Sequence, residues 1–135
     1  MSIDISRPWA RTSPGIEGQA GGFFTVTNKG GEADLLVAAA SPAAARIDIH
    51  GIRVVGSVIT MRSMEKGLRV PPDTAITLKP RGYHLLLQDL TRPLSKGERV
   101  PVTLTFEKAG TRQIDLIVEA PGPINNETLM EDQPG

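Results

Sequence analysis

Glycine and proline interrupt this chain at short intervals, and this punctuation limits its possible folds more than any other feature. The 135 residues include 14 glycines and 11 prolines. The stretches between them are rich in valine, isoleucine, leucine and threonine. Such short segments leave little room for helices and are typical of strands joined by turns. The pattern predicts an all-β fold, a sandwich or barrel with Greek-key connections.

Apolar and polar residues alternate in several of these segments, as expected for strands that bury one face. The last two segments form the clearest pair, because "KAGT" lies between them and Gly110 can supply the positive φ of a hairpin turn. The predicted strands cover residues 3–10, 22–28, 33–40, 44–50, 54–62, 75–79, 83–88, 100–107 and 112–119.

Chain length and apolar content predict one domain with a single core. With 39% apolar residues, a chain of this size can bury such a core over residues 1–120. The segment "PGPINNETLMEDQPG" that follows has little apolar content and no period, which predicts a flexible tail over residues 121–135. No stretch approaches the ~20 consecutive apolar residues of a membrane span, so we expect no membrane insertion.

Charge and cysteine content exclude several classes of partner and chemistry. Fifteen basic residues balance fifteen acidic ones along the chain, which argues against a nucleic-acid partner. Because the chain has no cysteine, imidazole, thioether and carboxylate groups are the ligands left for any metal ion.

Two histidines and two nearby methionines are the candidate metal ligands. Alternation in "ARIDIH" puts His50 on the polar face of a strand, at its end. In "GYHLLLQDL", His84 shares a face with the residue two positions on, at roughly 7 Å. Met61 ends an apolar run, and Met64 follows at the start of a loop. Imidazole and thioether donors together suit copper, particularly its monovalent ion.

The residues alone leave an alternative open. A lone histidine on a strand, such as His84, is more often an ordinary surface or hydrogen-bonded residue, and Met61 could fill the core. No spacing between these residues is as specific as a repeated Cys-x-x-Cys pattern.

The wider sequence resembles the periplasmic copper chaperones of the PCu(A)C type. The blocks that carry this resemblance are "WARTSPG", "GGFFTVTNKGGEADLLVAAASPAAARIDIH", "MRSMEKGLRVP", "LKPRGYHLLL" and "RPLSKGERVPVTLTFEKAG", in that order from Ile3 to Val118. The resemblance implies a cupredoxin-like β-sandwich in the periplasm, with any signal peptide absent from this chain. It also implies binding without turnover: delivery of Cu(I) to an acceptor protein such as a respiratory oxidase copper site.

The resemblance also implies a ligand set, with one departure from the family's pattern. His50, Met61 and His84 match three ligands of that family, whereas its last methionine falls on Leu86, which has no donor atom. Met64, or Met130 from the tail, is then expected as a replacement donor, and the affinity for Cu(I) is expected to be lower. The alternative function is a metal-free interaction module whose copper site has degenerated.

Overall fold

The computed structural model describes residues 3–12, 17–64, 66–80 and 82–122, with backbone alone at residues 52–55 and 59–62. These residues form ten strands and contain no helix. The strands are β1 (Ile3–Thr12), β2 (Gln19–Asn28), β3 (Asp34–Ala40), β4 (Ala44–Val55), β5 (Val58–Ser63), β6 (Leu68–Val70), β7 (Thr74–Thr77), β8 (His84–Leu90), β9 (Arg99–Phe106) and β10 (Gly110–Val118).

All ten strands belong to one sheet, in the order β5-β4-β8-β2-β1-β10-β9-β3-β6, with β7 added to β2. Only β1 and β10 pair in parallel among these strands, and the other pairs are antiparallel. Because β3 also contacts β4, the sheet curls into a nearly closed barrel. The predicted all-β fold is confirmed.

Alternation along the strands builds the core inside this barrel. In β9, the side chains of Val100, Val102, Leu104 and Phe106 are buried and their neighbours are not. β10 follows through the predicted hairpin, where Gly110 has a φ of 79°. Because a residue with a side chain rarely adopts such an angle, glycine suits this turn.

A buried carboxylate joins β3 to the turn between β9 and β10. Asp34 is 3% exposed, and its side chain accepts hydrogen bonds from the backbone N–H groups of Leu35, Lys108 and Ala109. Three donors on one carboxylate offset the cost of burying its charge. Asp34 therefore holds the turn of the last hairpin against the neighbouring strand β3.

The prediction of a single strand over residues 54–62 was wrong. β4 continues through Val55, and the chain then reverses at Gly56 and Ser57 into β5. Gly56 has a φ of 62°, which makes the turn inside an apolar run that looks continuous in the sequence. As a result, His50 lies within β4 and not at its end. The short strand β6 was also not predicted, since three residues carry little periodic signal.

The predictions for the tail and Met130 fall on residues 123–135, which lie outside the described residues, and the single domain over residues 1–120 stays a prediction. In the described part of the chain, no helix is long and apolar enough to cross a membrane.

Candidate metal centre

Strand pairing brings the two histidines together on one face of the sheet. His50 of β4 and His84 of β8 are direct partners in the antiparallel ladder, and their ring centroids lie 5.4 Å apart. We call the side of the β4–β8 ladder that carries these rings the outer face. Ile49 and Leu85 point to the other side, into the core.

The ring of His84 is buried and held in one orientation. The residue is 1% exposed, and its Nδ1 lies 2.9 Å from the carbonyl oxygen of Gly82. Since a carbonyl only accepts, Nδ1–H is the donor, and the lone pair of the neutral ring is on Nε2. Within the described residues, Nε2 has no hydrogen-bond partner. His84 therefore presents one nitrogen that can bind a metal ion.

Both imidazoles favour the neutral form that metal binding requires. Burial lowers the pKa of His84, against the hydrogen bond to Gly82, and the nearby His50 lowers it further. Burial also lowers the pKa of His50, and the charge of Asp48 opposes this shift. Protons therefore compete less with a metal ion at this pair than at exposed histidines.

A row of aromatic rings explains how His84 is buried on the outer face. Phe23 is fully buried, yet it lies outside the main core cluster. Its ring centroid is 6.3 Å from that of His84 and 4.5 Å from that of Trp9, its partner in β1. Sequence reasoning missed Phe23, although alternation of the consecutive Phe23 and Phe24 signals a strand covered on both faces.

The two candidate methionines take different positions around the histidines. In the β4–β5 ladder, His50 pairs with Ser63, and Ile52 pairs with Met61. Residues two apart on a strand share a face, so the backbone register puts position 61 on the same face as position 50. The side chain of Met61 lies outside the described atoms. A Cβ built on Gly51 would lie 2.6 Å from Sδ of Met64. Gly51 faces away from the ring of His50, so the structure does not bring Met64 to the histidine pair.

Comparison with known proteins gives both family and fold. Residues 3–118 match the family described as putative lipoprotein LpqE-like. The chain belongs to the LpqE-like family. A putative lipoprotein from Leifsonia xyli is 28% identical over 117 residues, which cover 87% of this chain and 69% of the relative.

Solved structures of copper-related domains share the fold of this LpqE-like chain. The copper-bound PCuAC domain from PmoF2 is 30% identical, with a TM-score of 0.74 over 88% of this chain and 93% of that domain. The CuI form of DR1885 from Deinococcus radiodurans is 26% identical, with a TM-score of 0.61 over 90% of this chain and 81% of that protein. The predicted resemblance to PCu(A)C-type domains is confirmed at the level of the fold.

The distance between the two histidine rings in this LpqE-like chain lies within the range for a shared metal ion. An ion ~2 Å from a ring nitrogen lies roughly 3 Å from the ring centre, so two rings that share it have centres up to ~6 Å apart. The observed 5.4 Å falls within this span. In the described part of the chain, no three histidine, aspartate or glutamate side chains gather as a metal-binding group.

A second polar group occupies the outer face beside the pair. Asp48 is directly opposite Leu86, and Arg46 is opposite Gln88, one same-face pair farther from the histidines. Gln88 Nε2 donates to Asp48 Oδ2 at 2.6 Å, and Arg46 Nη2 donates to Gln88 Oε1 at 2.7 Å. Arg46 Nε also lies 3.4 Å from Asp48 Oδ2. These contacts form a closed triangle of side chains.

Proposed function

We propose that this LpqE-like chain binds monovalent copper through His50, His84 and Met61 and passes it to an acceptor protein in the cell envelope. The observation that carries the proposal is the pairing of His50 and His84, whose rings lie 5.4 Å apart. The copper-bound PCuAC domain and the CuI form of DR1885 support copper as the cargo.

The proposed donors suit monovalent copper. Two neutral imidazoles and one thioether add no negative charge, and the soft sulfur favours Cu(I) over divalent ions. The hydrogen bond from His84 to Gly82 fixes the ring's orientation, as partners of metal-binding histidines commonly do. The strands β4 and β8 thus hold two donors in place before the ion arrives.

Transfer requires a donor that can leave. Met61 lies on β5, the terminal strand of the described sheet, which pairs only with β4. A ligand on such a strand can move with less disruption than one on the central β8. We propose that the acceptor displaces Met61 first, while the histidines still hold the ion.

The family description supports a location in the cell envelope. Both the matching family and the relative from Leifsonia xyli are described as putative lipoproteins. An exported copper carrier would meet acceptors outside the cytoplasm, such as the copper site of a respiratory oxidase. The proposed role is binding and delivery without turnover.

Competition for Cu(I) tests this function directly. The protein is titrated with Cu(I) under reductant against a chelator of known affinity, as wild type, His50→Ala and His84→Ala. We expect each variant to lose at least about tenfold in affinity, since even outer partners of ligands contribute that much. Gln113→Ala, on an exposed position of β10, serves as the control. Wild-type affinity in both histidine variants would disprove the proposed site.

One observation favours the alternative of a metal-free interaction module. Leu86 stands where the related copper chaperones are expected to have a methionine ligand, and it supplies no donor atom. If wild type fails to compete for Cu(I) at all, the copper function is excluded. The unpaired side of β5, at the end of the described sheet, is then the first surface to test for partner binding by strand addition.

A further inference from the structure

We propose that Arg46 and Gln88 are positioning residues that hold the carboxylate of Asp48 away from the histidine pair and so keep the site selective for monovalent copper over divalent ions. The inference rests on the proposed copper site at His50 and His84. It concerns which ions that site excludes, and it assigns this task to side chains that bind no metal themselves.

Asp48 is placed where it could become a ligand. It lies two residues before His50 on the same strand and directly opposite Leu86, on the outer face. Residues two apart on a strand are roughly 7 Å apart at Cα, a separation at which two side chains can reach one ion. Asp48 therefore lies directly across the ladder from position 86, where the methionine donor of the related chaperones is expected.

A carboxylate at this point would change the ion preference of the site. Oxygen donors with negative charge favour divalent ions, and two histidines with one carboxylate are a common zinc ligand set. The wild-type donors are neutral. Because Leu86 supplies no sulfur, the site has one soft donor fewer to keep its preference for Cu(I) if an oxygen donor is added. If Asp48 could reach the ion, the site would bind Zn(II) more tightly and would be less selective for Cu(I).

The contacts among Arg46, Gln88 and Asp48 turn the carboxylate of Asp48 away from the histidine pair. Oδ2 of Asp48 accepts the short hydrogen bond from Gln88, which belongs to the ladder pair beyond Leu86, away from His84. Arg46 binds both partners, at 2.7 Å to Gln88 Oε1 and 3.4 Å to Asp48 Oδ2. The side chain of Asp48 is only 27% exposed, so water screens these charge-assisted contacts incompletely.

The test compares Zn(II) and Cu(I) affinities in the same variants, each by chelator competition. Gln88→Leu removes the short hydrogen bond, and we expect it to raise Zn(II) affinity on the order of tenfold, because Asp48 can then turn to the ion. The double variant Gln88→Leu/Asp48→Asn should return to the wild-type Zn(II) affinity. Cu(I) affinity should stay within about threefold of wild type in all of them.

Two further variants keep the test decisive. Arg46 is exposed, with a side chain 63% accessible, so Arg46→Ala keeps the fold even if Gln88→Leu does not; a smaller gain in Zn(II) affinity is expected. Asp48→Asn alone should lower Zn(II) affinity by no more than about threefold, because the carboxylate is held away in wild type and acts on the site only through its charge, as it does on His50. A loss of about tenfold or more in Asp48→Asn would overturn the inference, since Asp48 would already be a ligand.

The two proposals fail in different ways. Unchanged Zn(II) affinity in Gln88→Leu and Arg46→Ala, with Cu(I) binding intact, would overturn the role of these positioning residues and leave the copper function standing. A wild-type protein that does not bind Cu(I) would overturn both.

Discussion

Leu86 lies directly opposite Asp48 in the β4–β8 ladder, one same-face pair away from His50 and His84. The proposed metal site thus has two neighbours: the hydrocarbon side chain of Leu86 on β8 and the carboxylate of Asp48 on β4, which its own neighbours hold in place. In the proposed function the ion has few donors, and those donors are neutral. Changes at position 86 should therefore alter Cu(I) affinity strongly.

Leu86→Met should tighten Cu(I) binding on the order of tenfold, because it adds a thioether on the face of the histidines. The exchange nearly conserves volume and should cost less than about 1.5 kcal/mol of stability. Leu87→Met is the matched control, since Leu87 is fully buried in the core on the other face. Chelator competition measures both variants. Equal affinities in the two variants would show that residue 86 does not face the ion.

Met61→Leu should weaken Cu(I) binding by about tenfold or more while leaving Zn(II) affinity nearly unchanged, since sulfur contributes mainly to binding of the soft ion. Met64→Leu removes the same chemical group from the position over Gly51 and should bind Cu(I) like wild type. Parallel titrations of the two variants make the comparison. A larger loss in Met64→Leu would reverse the assignment of the two methionines.

The stability of the metal-free protein should depend on pH through His84. Burial lowers the pKa of His84 in the folded protein below its ordinary 6.5. At pH values between this lowered pKa and 6.5, the unfolded chain therefore binds more protons than the folded one. The free energy of unfolding therefore rises with pH in this window and levels off above about 6.5.

Urea unfolding between about pH 5 and pH 7.5 measures this effect. His84→Gln removes one titrating group and should show a shallower rise than wild type; the rise that remains comes from His50, whose pKa burial also lowers, and from carboxylates that titrate in the same range. Parallel curves for the two proteins would contradict the lowered pKa.

Asp34→Ala should destabilise the fold by about 2–4 kcal/mol, because three backbone N–H groups lose their acceptor at a buried position. Cu(I) affinity should not change, since the hydrogen bonds of Asp34 join β3 to the β9–β10 turn and do not involve the histidine pair. Asp115→Ala, at an exposed position of β10, is the control and should change stability by less than about 0.5 kcal/mol. Urea unfolding distinguishes them. Equal stability of the two variants would mean that the hairpin does not depend on Asp34.

Local pattern was sufficient for much of the fold. Alternation in β9 and β10 predicted which residues are buried, because a strand with one covered face repeats every two residues. It failed over residues 54–62, where Gly56 reverses the chain inside an apolar run. It also missed the burial of Phe23, because a second layer on the outer face depends on Trp9 and His84 from other strands.

The sequence by itself determined the all-β class, the hairpin at Gly110, the polar-face assignment of His50 and the face that His84 shares with Leu86, since each follows from residues close together in the chain. Only the tertiary structure decided that the two histidines are ladder partners, that Met64 packs on the other side over Gly51, and that Asp48 is held by its neighbours. The physical reason is that the register between two strands depends on the packing of the whole sheet, and a period of two sets only the face, never the partner.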